Sequence, residues 1–484
     1  MLVELRPTEK LRDHNNSVVG AVLGSILHAV EDDTLDLSRL RIVCDWIQYR
    51  KNFRDPIEIR PILDSSGRGS VEIAVDLRRV AGKDADLEGE ITRALARRQD
   101  ARRLYLESWC PTTRSLIWSF NALYWKHLAL WETVSGRSYE QALPGGQSDA
   151  RNTAGARETI LELFSIWDQL AARRALPDQL HVLELGVGNG NQARVWLDEF
   201  VRLDREQGRD YYRRLHYLMG DYSPHLLEMA RNNVQKHADH VSGLVLDAMA
   251  PSKTLGFLKY KAFFVYISNV YDNLPTDEIA RINGHNYQVE TRAHLRLEDA
   301  ERIAASVRTN LEDLPDLIMK LLRLGPELVA ETYRDKFEDV LGAVRFWSDL
   351  WDALGLEERY VPLQPLDTYE IAPGANGEIM RSILEANGDL RMHVSNGAVA
   401  SFIDTLPLLH PHGFIQCHDL FVTDVEQYAT GFRGPGKYDG SVVNWGNGPL
   451  LEAIGGRRGF IVDFRKFAHR AGSNIVTMTA RVRE

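Results

Sequence analysis

Three glycines alternate through Glu184-Leu-Gly-Val-Gly-Asn-Gly190, and acidic or amide side chains recur downstream at Asp221, Asp247, Asn269 and Asp272. Alternating glycines let a backbone turn tightly and bring its N–H groups against a polar ligand at a helix start. A carboxylate placed like Asp221 can accept hydrogen bonds from both hydroxyls of a ribose. Asn269 can accept an N–H hydrogen bond through its carbonyl oxygen, and Asp272 can pair with a cation and take its proton. A helix cap is the competing role for Asp272. His418 and Asp419 are second candidates for that proton, although a histidine in such a place is more often structural.

These residues need elements to hold them. An apolar run opens at Leu180, after Pro177-Asp178, and reads as a buried parallel strand. Trp196, Leu197, Phe200 and Val201 mark an amphipathic helix after Gly186, Gly188 and Gly190. Residues 215–219, 243–246 and 262–267 read as three more strands. Each delivers polar residues at its end: Asp221-Tyr222-Ser223, Asp247-Ala248, and Ser268-Asn269. Ser223 is a natural N-cap and Pro224 a natural first helical residue. In open α/β sheets a ligand lies outside the carboxyl ends of the strands.

The run Glu184-x-Gly-x-Gly-x-Gly190, then Asp221-x-Ser-Pro-x-x-Leu-x-x-Ala-Arg231, then Asp247-Ala248, resembles the signatures of class I S-adenosylmethionine-dependent methyltransferases. Residues 406–418 resemble that family's helix, turn and fifth strand, and 459–482 its closing hairpin. His412 departs from the turn's usual glycine, and the connection from 273 to about 400 is unusually long. The likeness spans roughly 156–275 and 400–484. It implies a Rossmann-like α/β fold and S-adenosyl-L-methionine as cofactor. The expected contacts are Glu184, Gly186, Gly188, Gly190, Asp221, Tyr222, Ser223, Asp247, Ala248 and Ser268. A nicotinamide enzyme competes poorly, because its acidic residue falls about 20 residues beyond the glycines and Asp221 comes later. Ser268-Asn-Val-Tyr-Asp-Asn-Leu-Pro275 is similar to the MidA-type methyltransferases, which include a mitochondrial complex I assembly factor that methylates protein arginine. Asn269, Asp272, Leu274 and Pro275 match that group, whereas Val270 stands where it has Glu. The implied reaction is methylation of a nitrogen, a protein arginine among the candidates. The alternatives are a small-molecule or peptide acceptor, and a cofactor-binding scaffold without turnover.

Composition sets the outer limits. The chain has 484 residues, 44% hydrophobic and 26% charged, enough for two or three packed units. A net charge of −10 argues against a broad nucleic-acid surface. Cys44, Cys110 and Cys417 show neither a disulfide framework nor metal spacing, so a cytoplasmic protein without a metal centre is expected. No signal peptide is expected at the start, and no apolar run is long enough to span a membrane.

Five segments are expected. Residues 1–82 form an appended α+β unit, with Val18, Val19, Val22, Leu23, Ile26, Leu27 and Val30 on one helical face and strands flanking the turn at 64–69. Its basic residues Arg41, Arg50, Lys51, Arg54 and Arg60 read as solvated surface. Residues 83–155 form a helical cap rich in aromatic rings, from Tyr105 and Trp109 to Trp131. Residues 156–275 and 400–484 are the two halves of the core. Between them, 276–399 is a mainly helical insertion after a strand pair, serving acceptor selection or dimerisation. Tyr271, Tyr438 and Trp445 are candidate acceptor contacts, the last two on a glycine-rich loop at 431–448 expected to act as a mobile lid.

Overall fold

The computed structural model describes residues 2–6, 20, 23–28, 37–45, 47, 49, 51–64, 69–80, 102–142, 152–430, 434–470 and 472–483. Val18, Val19, Val22, Val30, Arg50, Gly145-Gly146, residues 65–68 and residues 431–433 lie outside them.

Seven strands build the core sheet. From one edge they run Phe460–Lys466, Val476–Val482, Leu409–Asp419, Ala262–Ser268, Leu180–Leu185, Leu215–Asp221 and Val241–Val245. Numbered by position in the chain, that order is 6-7-5-4-1-2-3, and Val476–Val482 alone runs antiparallel to its two neighbours. This is the α/β architecture of class I methyltransferases, closing hairpin included. Leu180–Leu185 is buried throughout, which is why its sequence reads as a near-continuous apolar run rather than an alternation. The helix Asn191–Glu206 follows the glycine turn. The next begins as expected, with Ser223 Oγ accepting the Leu226 N–H at 3.3 Å and Pro224 as first helical residue.

A second, ten-stranded sheet draws strands from the N-terminal segment and from the insertion into one layer. Its order is Leu2–Arg6, Leu40–Asp45, Ser70–Asp76, Ile57–Ile62, Gly355–Pro362, His285–Arg296, Glu278–Ile282 and Leu390–His393, with Arg103–Tyr105 and Cys110–Pro111 also paired to His285–Arg296. The N-terminal strands and the insertion are therefore one layer, joined where Ile62 meets Tyr360. The insertion carries the helices Leu297–Ser306, Leu314–Leu324, Pro326–Thr332 and Val340–Ala353, but it contributes strands throughout as well. Among the described residues of the expected helical cap, the main helices are Leu116–Lys126 and Leu128–Ser135. Tyr105 and Trp109 precede these helices and stack on Arg292, at 3.4 and 4.6 Å. From Trp118 onward the rings pack against the insertion helices around Trp347 and Trp351.

The N-terminal arginines are likewise not all at the surface. Arg41, Arg54 and Arg60 are buried with Arg391 among Glu58, Glu72, Glu278 and Glu358. Arg54 contacts Glu358 at 2.8 Å, and Arg60 contacts Glu72 and Glu358 at 2.9 Å each. Three guanidiniums around Glu358 hold its carboxyl far below the usual range despite complete burial. Such a network stands because every charge has partners, and removing one would strand another. Among the described residues, no helix is long and apolar enough to cross a membrane.

Candidate active site

A cavity of about 930 Å³ opens at the carboxyl ends of the core strands. The glycine turn forms its floor. Gly186, Gly188 and Gly190 all have positive φ, at 76°, 56° and 78°. At Gly190 a Cβ would come within 2.6 Å of the Ala230 backbone, so glycine there permits close packing of two helices. At Gly188 a Cβ would meet the Tyr139 hydroxyl at 2.6 Å. That tyrosine, from the short helix Tyr139–Ala142, covers the turn and also lines the cavity, and nothing local in the sequence signalled it. Gly186 and Gly188 line the cavity, whereas Gly190 lies behind them.

Asp221 fixes the turn from the second strand. Its Oδ2 accepts the Gly188 N–H at 2.9 Å and its Oδ1 the Ser223 N–H at 2.8 Å. Burial nonetheless pushes its pKa up to about 6. Each oxygen keeps lone-pair capacity for a ligand hydroxyl. Glu184 is buried beneath the turn and accepts the Tyr217 hydroxyl at 2.6 Å, and burial pushes it up to about 8. Tyr222, Asp247, Ala248 and Ser268 line the same cavity, Tyr222 and Asp247 exposed and the other two half-buried. Asp247 also accepts the Met249 N–H at 2.9 Å. Ser223 does not reach the cavity, since its hydroxyl caps the helix.

Asn269 and Asp272 line the cavity beyond the fourth strand. Asn269 sits in the left-handed region at φ 51°, which asparagine tolerates well, and its N–H donates to the His418 carbonyl at 3.0 Å. Asp272 belongs to the single 3-10 turn Tyr271–Asn273, and no α-helix follows before the strand Glu278–Ile282, so it caps no helix. Its Oδ1 accepts Asn273 Nδ2 at 2.7 Å, and its carboxyl hydrogen-bonds Asp419. Burial first, then the Asp419 charge, holds Asp272 well above the usual carboxylate range.

Three sequence-based candidates lie elsewhere. His418 does not line the cavity: Nδ1 pairs with Thr477 Oγ1 at 2.9 Å, Tyr266 and Phe467 flank the ring, and burial pushes it down to about 3. It is a neutral packing histidine. Tyr271 is 1% exposed and faces the core below the cavity. Trp445 is buried behind the wall and donates to the Tyr49 hydroxyl at 2.8 Å. Tyr438 does line the cavity.

The described part of the glycine-rich loop is tied to the helices around it. Asp439 accepts from Tyr124 at 3.1 Å, Trp131 Nε1 at 3.2 Å and Arg137 at 2.6 Å. Lys437 donates to the Trp351 and Asp352 carbonyls at 2.6 and 3.0 Å, and its burial pushes the ammonium down to about 7. The remaining walls come from Tyr49 and Lys51, from Trp118, Tyr124 and Trp125, and from residues 472–475 before the last strand. Asn121 ties wall to floor, donating to the Asn273 carbonyl and accepting the Val442 N–H, both at 2.9 Å.

No family model matches the chain, and no curated protein matches it. Among solved structures it is similar to a candidate methyl transferase from Burkholderia thailandensis bound to S-adenosyl-homocysteine: 14% identity, 77% of this chain and 76% of that one, TM-score 0.43. It is similar also to the DszA carbon methyltransferase, at 11% identity over 88% and 74% of the two chains with TM-score 0.33. The mitomycin 7-O-methyltransferase MmcR follows at 10% identity over 63% and 49%, with TM-score 0.26. At these scores the likeness adds nothing to what the strand order shows by itself.

Proposed function

We propose that this protein is an S-adenosylmethionine-dependent methyltransferase whose acceptor enters the cavity at the strand ends. One observation carries the reading: a single cavity joins the glycine turn and Asp221 to Asn269 and Asp272. The fit to the cofactor rests on side chains that a sulfonium nucleoside would satisfy. Asp221 would hold the ribose hydroxyls, and Leu246 and Ala248 would border the base. Glu184 is a buried carboxyl beside the turn that a cationic ligand would favour in its ionised form. When bound, the cofactor supplies an electrophilic methyl group. The protein's own part is to align the acceptor, exclude water and manage a proton.

A nitrogen acceptor, protein arginine included, is the narrower expectation from the residues around Asn269 and Asp272. The aromatic walls of Trp118, Tyr124, Trp125 and Tyr139 favour the other reading, a small molecule taken wholly inside. Calorimetric titration with S-adenosylhomocysteine tests the cofactor, and cell extract incubated with enzyme and methyl-labelled S-adenosylmethionine tests transfer. Saturable binding and a labelled product support the reading. Binding without any labelled product leaves a scaffold, and no binding overturns the proposal.

A further inference from the structure

Two carboxyls meet at the inner end of the cavity, and their surroundings differ. Asp419 ends the fifth core strand, is 0% exposed and does not line the cavity. Its Oδ2 accepts the Val270 and Tyr271 N–H groups at 3.0 and 2.8 Å, and its Oδ1 accepts the Leu420 N–H at 2.8 Å. Asp272 lies in front of it, lines the cavity and accepts from Asn273 Nδ2. Two touching carboxyls in a dry site do not both ionise. Three backbone donors place the charge on Asp419, so the proton resides on Asp272. The titratable groups facing the pair are Cys417 beside both carboxyls, Tyr271 by Asp419 and Tyr438 by Asp272, all neutral with raised pKa values. Next to Asp272, the buried Oδ1 of Asn273 has no partner among the described residues, and Asn273 also lines the cavity. It is an acceptor waiting for a donor.

Resting on the methyltransferase reading above, we infer that Asp272 and Asp419 form a one-proton relay and that the methyl acceptor is an uncharged molecule with an O–H or N–H group, not a cationic side chain. The donor of that group fits Asn273 Oδ1 or Asp272. As the acceptor lone pair forms its bond to the methyl carbon, the carbon–sulfur bond breaks and its electron pair stays on sulfur. The acceptor proton passes to Asp272, and the proton Asp272 held moves along their hydrogen bond to Asp419. Sulfonium and carboxylate charges vanish together, leaving the buried site neutral. Asp272 is thus the catalytic residue and Asp419 a positioning residue that acts through it. A cationic acceptor would instead need Asp272 ionised beside Asp419 at the start.

Isotope-edited infrared spectra of the full chain carrying carboxyl-labelled aspartate test the relay without any acceptor. At neutral pH an un-ionised buried carboxyl band should be present and should disappear in Asp272→Asn. A second should grow in as the pH falls, and be missing in Asp419→Asn. If Asp419→Asn does not fold, the Asp272→Asn spectrum decides alone. Identical neutral-pH spectra for wild type and Asp272→Asn overturn the relay. A labelled product methylated on a guanidinium or ammonium overturns the acceptor class. With the native acceptor, Asp272→Asn should slow transfer by about 100-fold or more. Calorimetry with S-adenosylhomocysteine separates the failures: intact binding with the wrong spectrum sinks the relay alone, and absent binding sinks the methyltransferase reading.

Discussion

Replacing Asp221 by Asn keeps its size but removes the charge and turns one acceptor oxygen into a donor. Both oxygens are in use, toward Gly188 N–H at 2.9 Å and Ser223 N–H at 2.8 Å. The amide can serve only one of them, so the other N–H faces an NH2 group inside a buried site. Leaving that buried N–H unpaired costs about 1–3 kcal/mol. Desolvation acts in the opposite sense. Net of those hydrogen bonds, burial lifts Asp221 from 3.8 to about 6, worth on the order of 3 kcal/mol against the ionised form at neutral pH, and the Asn variant escapes that burden. The two effects nearly offset, so the melting temperature of Asp221→Asn without ligand should scarcely move. Ligand affinity has no such offset, because the ribose hydroxyls lose a charged acceptor and meet a loosened turn. S-adenosylhomocysteine should bind Asp221→Asn roughly 100-fold more weakly, or about 3 kcal/mol. Titration calorimetry beside a thermal melt reads both quantities. An unchanged affinity in a normally folded variant would refute the ribose assignment. A large fall in melting temperature would refute the offset instead.

Three further outcomes follow from the same geometry. Wild-type affinity for S-adenosylhomocysteine should be full above the Asp221 value of about 6 and fall as the pH drops through it, because protonation removes an acceptor that the bound ribose needs; calorimetry across that range reads it. Glu184 is raised from 4.5 to about 8 in the folded chain, so its stability contribution is whole below about 4.5 and is lost as the pH rises toward 8. Glu184→Gln cannot ionise, so in urea denaturation it should match wild type in acid and exceed it by on the order of 1–3 kcal/mol above pH 8. Asp439→Ala strips the acceptor from Tyr124, Trp131 and Arg137, and should cost about 2–4 kcal/mol in denaturant titration. The same change should raise the acceptor KM while leaving S-adenosylhomocysteine affinity intact, since no part of the glycine turn rests on it.

What could be read from the sequence was what neighbours in the chain decide. The run from Leu180 into alternating glycines, the Ser223-Pro224 helix start and the polar residue at each strand end are local patterns, and the core sheet follows them closely. The second sheet is decided by partners far away. Ile62 pairs with Tyr360 across nearly three hundred residues, and no periodicity in either strand points to the other. Charge was the most misleading signal, because a lone arginine belongs in water and only its partners show otherwise. Arg60 is buried because Glu72, twelve residues on, and Glu358, from the insertion, both reach it. Trp445 was misplaced similarly: glycines imply an open loop, but Asp439 and Lys437 bond to helix residues 315 and 86 positions away in the chain. This bears on the chemistry. A sheet locked by buried ion pairs resists the deformation that a large, flexible acceptor would demand. The residues that looked like an accessory surface belong instead to the packed layer from which Tyr49 and Lys51 reach the cavity, so the layer bears on which acceptor the proposed reaction could take.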